Sequence, residues 1–188
     1  MKKAIIIIVI TLLFCVGIYN LFAFLDYHSQ LSSKEKYSLK EEENIEVQFS
    51  YHNKTYMITN YHDDTTAAGH TILFKDSNTY YKLDDLKNCN FAKDNIYIND
   101  NQIYIHCIGQ KGNIIQYTIN NLELEKQVWE FNYQNTPNIS QLHIVVDKAN
   151  DKYIYLSSAF KVDNNDKNEP QVKCSLKNNI CEYTRPNV

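Results

Sequence analysis

The chain has 188 residues, with 19 basic and 22 acidic side chains and a net charge of −3 at pH 7. Its mildly acidic balance, without a cluster of Lys or Arg beyond the N-terminus, argues against a nucleic-acid partner. Its four glycines are too few and too scattered to form the loops that hold nucleotide phosphates, so no cofactor is predicted.

The N-terminal segment predicts a membrane anchor. Lys2 and Lys3 precede an uncharged, mostly apolar run from Ala4 to Leu25. As a helix this run spans about 33 Å, which matches a hydrocarbon core of about 30 Å. A cleaved signal peptide has a shorter apolar core followed by small residues, whereas bulky residues follow this run. We therefore expect residues 1–25 to form a transmembrane helix that stays uncleaved as a signal anchor.

The flanks of this helix predict its orientation, and Cys15 offers an alternative mode of attachment. Two lysines lie at one end and Asp26 at the other, which favours an N-terminus in the cytoplasm and a C-terminal domain outside it. We therefore expect a single-pass protein of the cell membrane. The residues before Cys15 are similar to a lipoprotein attachment motif, but Phe14 stands where that motif requires a small residue.

Residues 26–44 are predicted to form a polar stalk, because they lack an apolar period and are rich in Lys, Glu and Ser. Ser38 and Glu41 have the spacing of a helix-capping pair, which indicates a short helix within the stalk. The run of three glutamates beside it is typical of a solvated surface. No binding role is assigned to it.

From Ile45 the pattern changes to short runs of β-branched and aromatic residues, which predicts an all-β domain over 45–188. About twelve short antiparallel strands are expected. Three hairpins are predicted to turn at His52-Asn53, Asp100-Asn101 and Ala149-Asn150. In the second hairpin, alternation places Tyr97 opposite Tyr104 on one face.

Each hairpin is followed by a second pair of predicted strands, at 71–83, 113–131 and 171–183. The return strands of the three hairpins are spaced 48 and then 50 residues apart, which is typical of the four-stranded blades of β-propellers. The same strands also suit a β-sandwich or a barrel. Three blades do not close a ring, so we expect unpaired edge strands and self-association through them.

Four cysteines lie in the domain that is predicted to be outside the cytoplasm, where thiols oxidise. They are Cys89, Cys107, Cys174 and Cys181. A turn at Lys177-Asn178 places Cys174 directly opposite Cys181, so we favour that bridge and, by elimination, Cys89–Cys107. If the turn lies one residue later, at Asn178-Asn179, Cys174 and Cys181 become diagonal neighbours and a bridge between them is harder to form. The alternative to both bridges is that all four cysteines are buried reduced thiols.

The densest cluster of potential metal ligands consists of His62, Asp63, Asp64 and His70. Its spacing matches no common metal motif, so 61–70 is interpreted as a loop between hairpins. The Asp-rich segment 163–169 likewise lacks the glycine of a calcium loop. Cys107 and His106 are adjacent on a strand, so their side chains point to opposite faces. We predict no metal site and no catalytic residue.

The aromatic residues supply the candidate binding surface. Tyr97 and Tyr104 are a candidate face for a glycan or peptide, whereas Trp129 is assigned to the core. The leading hypothesis is a non-catalytic, membrane-anchored extracytoplasmic module that binds a protein partner or a surface polymer. The alternatives are an envelope hydrolase with a loop site around His62, Asp63 and His70, and a scaffold subunit that acts through its sheet edges.

Overall fold

The structure is a computed structural model, and it describes residues 2–41, 43–63, 66–86, 89, 91, 93–107, 113–131, 144–158 and 171–184. The chain divides into two compact units, Met1–Glu35 and Lys36–Val188. The first unit is helical, and the second consists of antiparallel β-sheets. This confirms the predicted all-β domain behind an N-terminal apolar helix.

Helix α1 covers Lys2–Ser33. Within its stretch Ile7–Ser33, an 18-residue window has a mean hydropathy of 2.5, so the helix is long and apolar enough to cross a membrane, and no other described helix meets these criteria. The helix continues past Leu25 into the predicted stalk, where Gln30 Nε2 donates to Asp26 Oδ2 at 2.9 Å. Once a helix has formed, each added residue gains a hydrogen bond at low entropic cost, so polar residues also extend it.

The segment after α1 also differs from the prediction. No helix forms over 36–41, and the chain instead makes β1, Lys36–Tyr37. The Tyr37 hydroxyl donates to Glu43 Oε2 at 2.9 Å. Burial, together with its hydrogen bond to the Glu43 carboxylate, raises the pKa of Tyr37 to about 12. Pairing with the sheet therefore overrides the weak local preference for a helix at Ser38.

The strands of the second unit form three antiparallel sheets. The first sheet has the order β1-β5-β4-β3-β2, with β2 Glu43–Tyr51, β3 Lys54–Asp63, β4 Thr66–Asp76 and β5 Thr79–Leu86. The 3-10 helix η1, Lys93–Asn95, leads into the second sheet. That sheet has the order β6-β7-β8-β9, with β6 Ile96–Asn99, β7 Gln102–His106, β8 Ile114–Asn120 and β9 Glu123–Trp129. The third has the order β10-β11-β12-β13, with β10 Ile144–Ala149, β11 Tyr153–Ser158, β12 Gln171–Ser175 and β13 Ile180–Thr184.

The predicted turns and registers of the clearest hairpins are confirmed. Tyr51 pairs with Lys54 around His52-Asn53, and Tyr97 pairs with Tyr104 around Asp100-Asn101. His52, Asn53 and Asp100 have φ values of 48°, 60° and 52°. Asn and Asp tolerate this left-handed conformation better than most residues, and tight hairpins require it.

The predicted loop at 61–70 is wrong, because it belongs largely to strands. β3 runs through Asp63 and β4 begins at Thr66, so the two strands form a hairpin of their own. Cross-strand pairs Asn60–His70 and Tyr61–Gly69 extend the ladder through the segment. Ladder hydrogen bonds to an already formed neighbouring strand outweigh the polar composition that suggested a loop.

The second sheet is sandwiched between the other two. On one of its faces, Tyr117 donates from its hydroxyl to Asp84 Oδ2 of the first sheet at 2.6 Å. On its other face, Tyr104 and Ile114 belong to a buried cluster with Ile154 and other residues of the third sheet. The middle sheet is therefore buried on both faces, which explains why the run from Ile103 to His106 is buried without alternation.

Both cysteine pairs that the sequence favoured are at disulfide distance. The sulfur atoms are 2.06 Å apart in Cys89–Cys107 and 2.04 Å apart in Cys174–Cys181. Cys174 and Cys181 lie directly opposite each other on β12 and β13, as the predicted register requires. Their bridge belongs to the core between the second and third sheets.

Candidate functional site

The cluster of possible metal ligands does not form a site in the described part of the chain. His70 is 2% exposed on β4, and its ring is stacked on Phe91 with centroids 3.6 Å apart. Desolvation lowers the pKa of His70 to about 4, so the ring is neutral at pH 7. His70 is therefore a core residue and not part of an open loop site.

The other metal and nucleophile candidates are also accounted for. The side chains of His62 and Asp63, with the whole of Asp64 and the segment 163–169, lie outside the described residues. Among the described residues, no group of three or more His, Cys, Asp or Glu side chains is placed to hold a metal. Cys107 has its sulfur in a disulfide and is therefore not a free thiol.

The tyrosine pair is largely enclosed by the third sheet and is not an open platform. The rings of Tyr97 and Tyr104 have centroids 6.2 Å apart. Tyr104 is 1% exposed, and Tyr97 packs against the core between the second and third sheets. Tyr104 nevertheless contributes to the lining of a cleft.

We call this concavity the Trp129 cleft. It has a volume of about 560 Å³ and lies where the second sheet meets the hairpin turns of the third. The second sheet contributes Gln102, Tyr104, Gln116, Gln127 and Trp129. The third sheet and its turns contribute Asp151, Lys152, Tyr153, Ser175, Leu176 and Lys177. A volume of this size falls within the range of about 300–1,000 Å³ that small-molecule sites occupy.

Strand register explains how these side chains come together. Tyr104, Gln116 and Gln127 are directly cross-strand neighbours on β7, β8 and β9, so they form a row on one face of the second sheet. Trp129 is two residues beyond Gln127 on β9, and Gln102 is two residues before Tyr104 on β7. Residues two apart on a strand share a face, so Trp129 and Gln102 flank this row.

Two hydrogen bonds hold the cleft floor in place. Trp129 Nε1 donates to Gln116 Oε1 at 2.9 Å, and the Tyr104 hydroxyl donates to Gln102 Oε1 at 2.6 Å. The Phe131 ring lies nearly parallel to the Trp129 indole, at 14° and with centroids 6.3 Å apart. Because both glutamines accept through oxygen, each presents its Nε2 group as a donor. The floor is therefore an oriented aromatic ring beside amide donors.

The electrostatic character of the cleft is mixed. Desolvation, with a smaller contribution from the nearby Asp151 carboxylate, raises the pKa of Tyr104 to about 12. The Tyr104 hydroxyl therefore remains protonated at all physiological pH values. Asp151 supplies a hydrogen-bond acceptor, and Asp151, Lys152 and Lys177 are all exposed residues of the hairpin turns at the rim. The cleft combines apolar, donor and acceptor groups without a concentrated charge of one sign.

A second, smaller cavity lies between the first and second sheets. Its volume is about 300 Å³, and its lining includes Tyr51, His52, Tyr56 and Asn121. The Tyr56 hydroxyl donates to the Asn121 carbonyl oxygen at 2.7 Å, so this tyrosine joins the two sheets. This cavity is smaller than the Trp129 cleft and its lining contains no tryptophan, so we regard the Trp129 cleft as the better candidate.

No family model, no curated protein and no solved structure matches this chain. The function must therefore be inferred from the chemistry of the Trp129 cleft. That chemistry consists of binding contacts: an indole face, glutamine donors, and the Asp151 carboxylate as an acceptor. Such groups orient a ligand through hydrogen bonds and ring contacts.

The sequence did not identify the three glutamines as site residues, and it assigned Trp129 to the core alone. Trp129 does pack against the core, as predicted, but it is only half-buried and also lines the cleft. The strand registers could have identified the glutamines. Once the hairpin registers are known, alternation places three glutamines on the same sheet face as Tyr104: Gln102, Gln116 and Gln127. What the sequence did not reveal is that the third sheet covers part of that face and leaves a cleft.

Proposed function

We propose that the protein is a membrane-anchored, extracytoplasmic and non-catalytic binding module, and that the Trp129 cleft is its ligand site. Helix α1 serves as a signal anchor, with the N-terminus in the cytoplasm and the β-sheet unit on the outer side. The ligand is a surface polymer or a partner protein. The observation that carries the proposal is the aromatic and amide lining of the cleft.

Two features support the proposed location. The apolar stretch Ile7–Ser33 is long enough to span a bilayer, and Lys2 and Lys3 precede it, as expected for a cytoplasmic end. Four cysteines pair at disulfide distance in the β-sheet unit. Disulfides persist in oxidising compartments and are rare in the cytoplasm. Both features agree with a domain that is exported but remains tethered.

The binding role is supported by preorganisation of the cleft. Trp129 is oriented by Gln116 and Phe131, and Gln102 is oriented by Tyr104. Side chains that are already ordered lose little conformational entropy when a ligand binds. An exposed surface without such contacts would have to order its long glutamine side chains at the moment of binding.

We further propose that the three sheets are blades of an open, propeller-like arc. Three consecutive four-stranded meanders, with the short β1 added to the first, support this arrangement. Contacts of β10 with β6 and β7, and of β5 with β9, support blades that pack face to face. An arc of this kind leaves edge strands at its ends, and a second copy of the chain is the proposed cover for them.

A co-sedimentation assay tests the binding function. Full-length chain is reconstituted into proteoliposomes and mixed with cell-envelope fragments from its native host. We expect the fragments to retain the proteoliposomes, and we expect the substitution Gln116→Ala to reduce retention. Gln48→Ala is the matched control, because Gln48 is an exposed glutamine on β2, outside the cleft.

Topology is measured on the same chain. Right-side-out membrane vesicles that carry either Lys3→Cys or Glu125→Cys are treated with a membrane-impermeant maleimide. We expect labelling of the variant at position 125, which is exposed on β9, and protection of the variant at position 3. The reverse pattern, or a mature chain that lacks residues 1–25 by mass spectrometry, would contradict the proposed anchor.

A further inference from the structure

The chemistry of the Trp129 cleft identifies a class of ligand. We propose that the cleft binds a neutral glycan chain, with a sugar ring on the Trp129 indole and sugar hydroxyl groups on the glutamine amides. This inference rests on the proposed binding function and specifies its ligand. It follows from the types of group that line the cleft and from the way in which the strands beneath it are paired.

The first argument concerns the shape of the contacts. A pyranose ring has an apolar face of C–H groups and a rim of hydroxyl groups. The floor of the cleft has the complementary arrangement, with the half-buried Trp129 and Leu176 as the apolar part. The amide groups of Gln102 and Gln116 lie beside them as donors. Asp151 accepts the hydrogen of a hydroxyl group, which a sugar supplies and a phosphate diester does not.

The second argument excludes an extended peptide as the better ligand. Peptides commonly bind by adding a strand to an exposed sheet edge, where backbone groups supply the hydrogen bonds. Strands β7 and β8 are interior strands of the second sheet and are paired on both sides, whereas β9, which carries Gln127 and Trp129, is an edge strand. A ligand over β7 and β8 therefore meets side chains alone, and strand addition at the edge of β9 is the outcome that the peptide probe tests. Recognition through amide side chains and an aromatic face suits a glycan.

The third argument concerns charge. The Asp151 carboxylate faces Tyr104, since it contributes to the raised pKa of that hydroxyl. An acidic polysaccharide would meet this carboxylate together with the two lysines, so it would find no surface of one sign. Asp151, Lys152 and Lys177 are all exposed, so water and salt screen charges of both signs. A neutral glycan needs no counter-charge.

The chain contains a single tryptophan, so its fluorescence reports on the cleft directly. Full-length chain in lipid nanodiscs is titrated with chitotetraose and cellotetraose as neutral probes. Oligogalacturonate serves as the acidic probe, and a neutral peptide rich in Pro and Asn serves as the peptide probe. We expect a saturable fluorescence change with at least one neutral oligosaccharide and an affinity that is insensitive to salt.

Three glutamine variants test whether the site is the cleft. Gln127→Ala alters an exposed residue of the row and leaves the core unchanged. Gln116→Ala removes the partner of the indole. Each is expected to weaken glycan binding by about threefold to tenfold, which corresponds to the loss of one hydrogen bond. Gln48→Ala is expected to bind as the wild type does, because Gln48 lies on β2.

Each other outcome overturns the inference in a distinguishable way. Equal affinity of Gln127→Ala, Gln116→Ala and the wild type would place the glycan elsewhere. Stronger, salt-sensitive binding of oligogalacturonate would overturn the neutral class. Binding of the peptide alone, weakened by Gln116→Ala, would overturn the glycan and leave the binding function intact. No response to any probe, in a chain that folds normally by circular dichroism, would remove the glycan assignment, and the envelope assay then decides the binding function separately.

Discussion

The hydroxyl group of one buried tyrosine makes a charged hydrogen bond between the first sheet and the second. Tyr117 is fully buried on β8, and its hydroxyl donates to Asp84 Oδ2 at 2.6 Å. Lys126 Nζ lies 3.1 Å from the same oxygen. Burial raises the pKa of Tyr117, and the bond to Asp84 raises it further, so the group is always a donor. The substitution Tyr117→Phe removes the hydroxyl and retains the ring.

The expected loss of stability follows from the charge of the partner. A hydrogen bond to a charged group contributes about 1.5–3 kcal/mol, whereas one between neutral groups contributes about 0.5–1.5 kcal/mol. The Asp84 side chain is 32% exposed, so water partly replaces the lost donor. We therefore expect Tyr117→Phe to lower the free energy of unfolding by about 1.5–2 kcal/mol.

Tyr104→Phe is the matched control. Tyr104 is also almost fully buried, at 1% exposure, and its hydroxyl donates over the same 2.6 Å to the uncharged Gln102 Oε1. We expect this variant to lose about 0.5–1.5 kcal/mol, less than Tyr117→Phe loses. Both substitutions remove one oxygen from a buried ring, so the difference between them reports the charge of the acceptor.

Urea unfolding of the full-length chain in detergent measures both losses, with tryptophan fluorescence and circular dichroism as probes. The comparison is repeated in an Asp84→Asn background. We expect the effect of Tyr117→Phe to shrink there, because the two residues are directly coupled. Equal losses for the two tyrosine variants, or an unchanged effect of Tyr117→Phe in the Asp84→Asn background, would refute the proposed sheet-to-sheet contact.

Three further predictions concern the bridges, a buried histidine and the sheet edges. The double substitution of Cys89 and Cys107 by Ala opens a loop with a separation of 18 residues and is expected to destabilise the chain by about 3 kcal/mol in urea unfolding. An unchanged midpoint would show that the bridge is not formed. The pKa of His70 is about 4 in the folded chain and about 6.5 in the unfolded chain. The contribution of His70 to the free energy of unfolding is therefore complete above pH 6.5 and falls as the pH drops toward 4, because the unfolded chain binds more protons in that range. His70→Phe is expected to lose less stability over that range, and identical pH profiles would contradict this. In sedimentation velocity, detergent-solubilised chain is expected to form a dimer at high concentration, whereas a clean monomer would argue against edge pairing.

Local features of the β-sheet unit were predictable because neighbouring strands are joined by short turns. Asp100-Asn101 marked a hairpin whose register was then determined by alternation, and the observed pairs are the expected ones. The same reasoning applied to the turn between β12 and β13 and predicted the pairing of Cys174 with Cys181. In each case the interacting residues are close in sequence, so turn chemistry and side-chain period suffice.

Prediction failed where an element was stabilised by a neighbour. Residues 26–33 are polar but continue the helix that precedes them, since extension is easier than nucleation. Residues 61–63 and 66–70 lack the apolar alternation of a typical strand but continue the ladder between β3 and β4. Histidine is a common metal ligand, yet His70 lies on a buried strand and is part of the core.

By itself, the sequence determined an apolar N-terminal helix, an antiparallel β domain in three units and the Cys174–Cys181 pair, because each depends on helix length, strand period or a short turn. The Cys89–Cys107 pair followed only by elimination. Only the tertiary structure decided that the face bearing Tyr104 is covered by the third sheet and opens into a cleft beside Trp129. The physical reason is that the cleft arises where the faces of two consecutive sheets meet, between residues that no short turn joins. Which side chains border that gap depends on how the sheet faces pack, and strand periodicity carries no information about it.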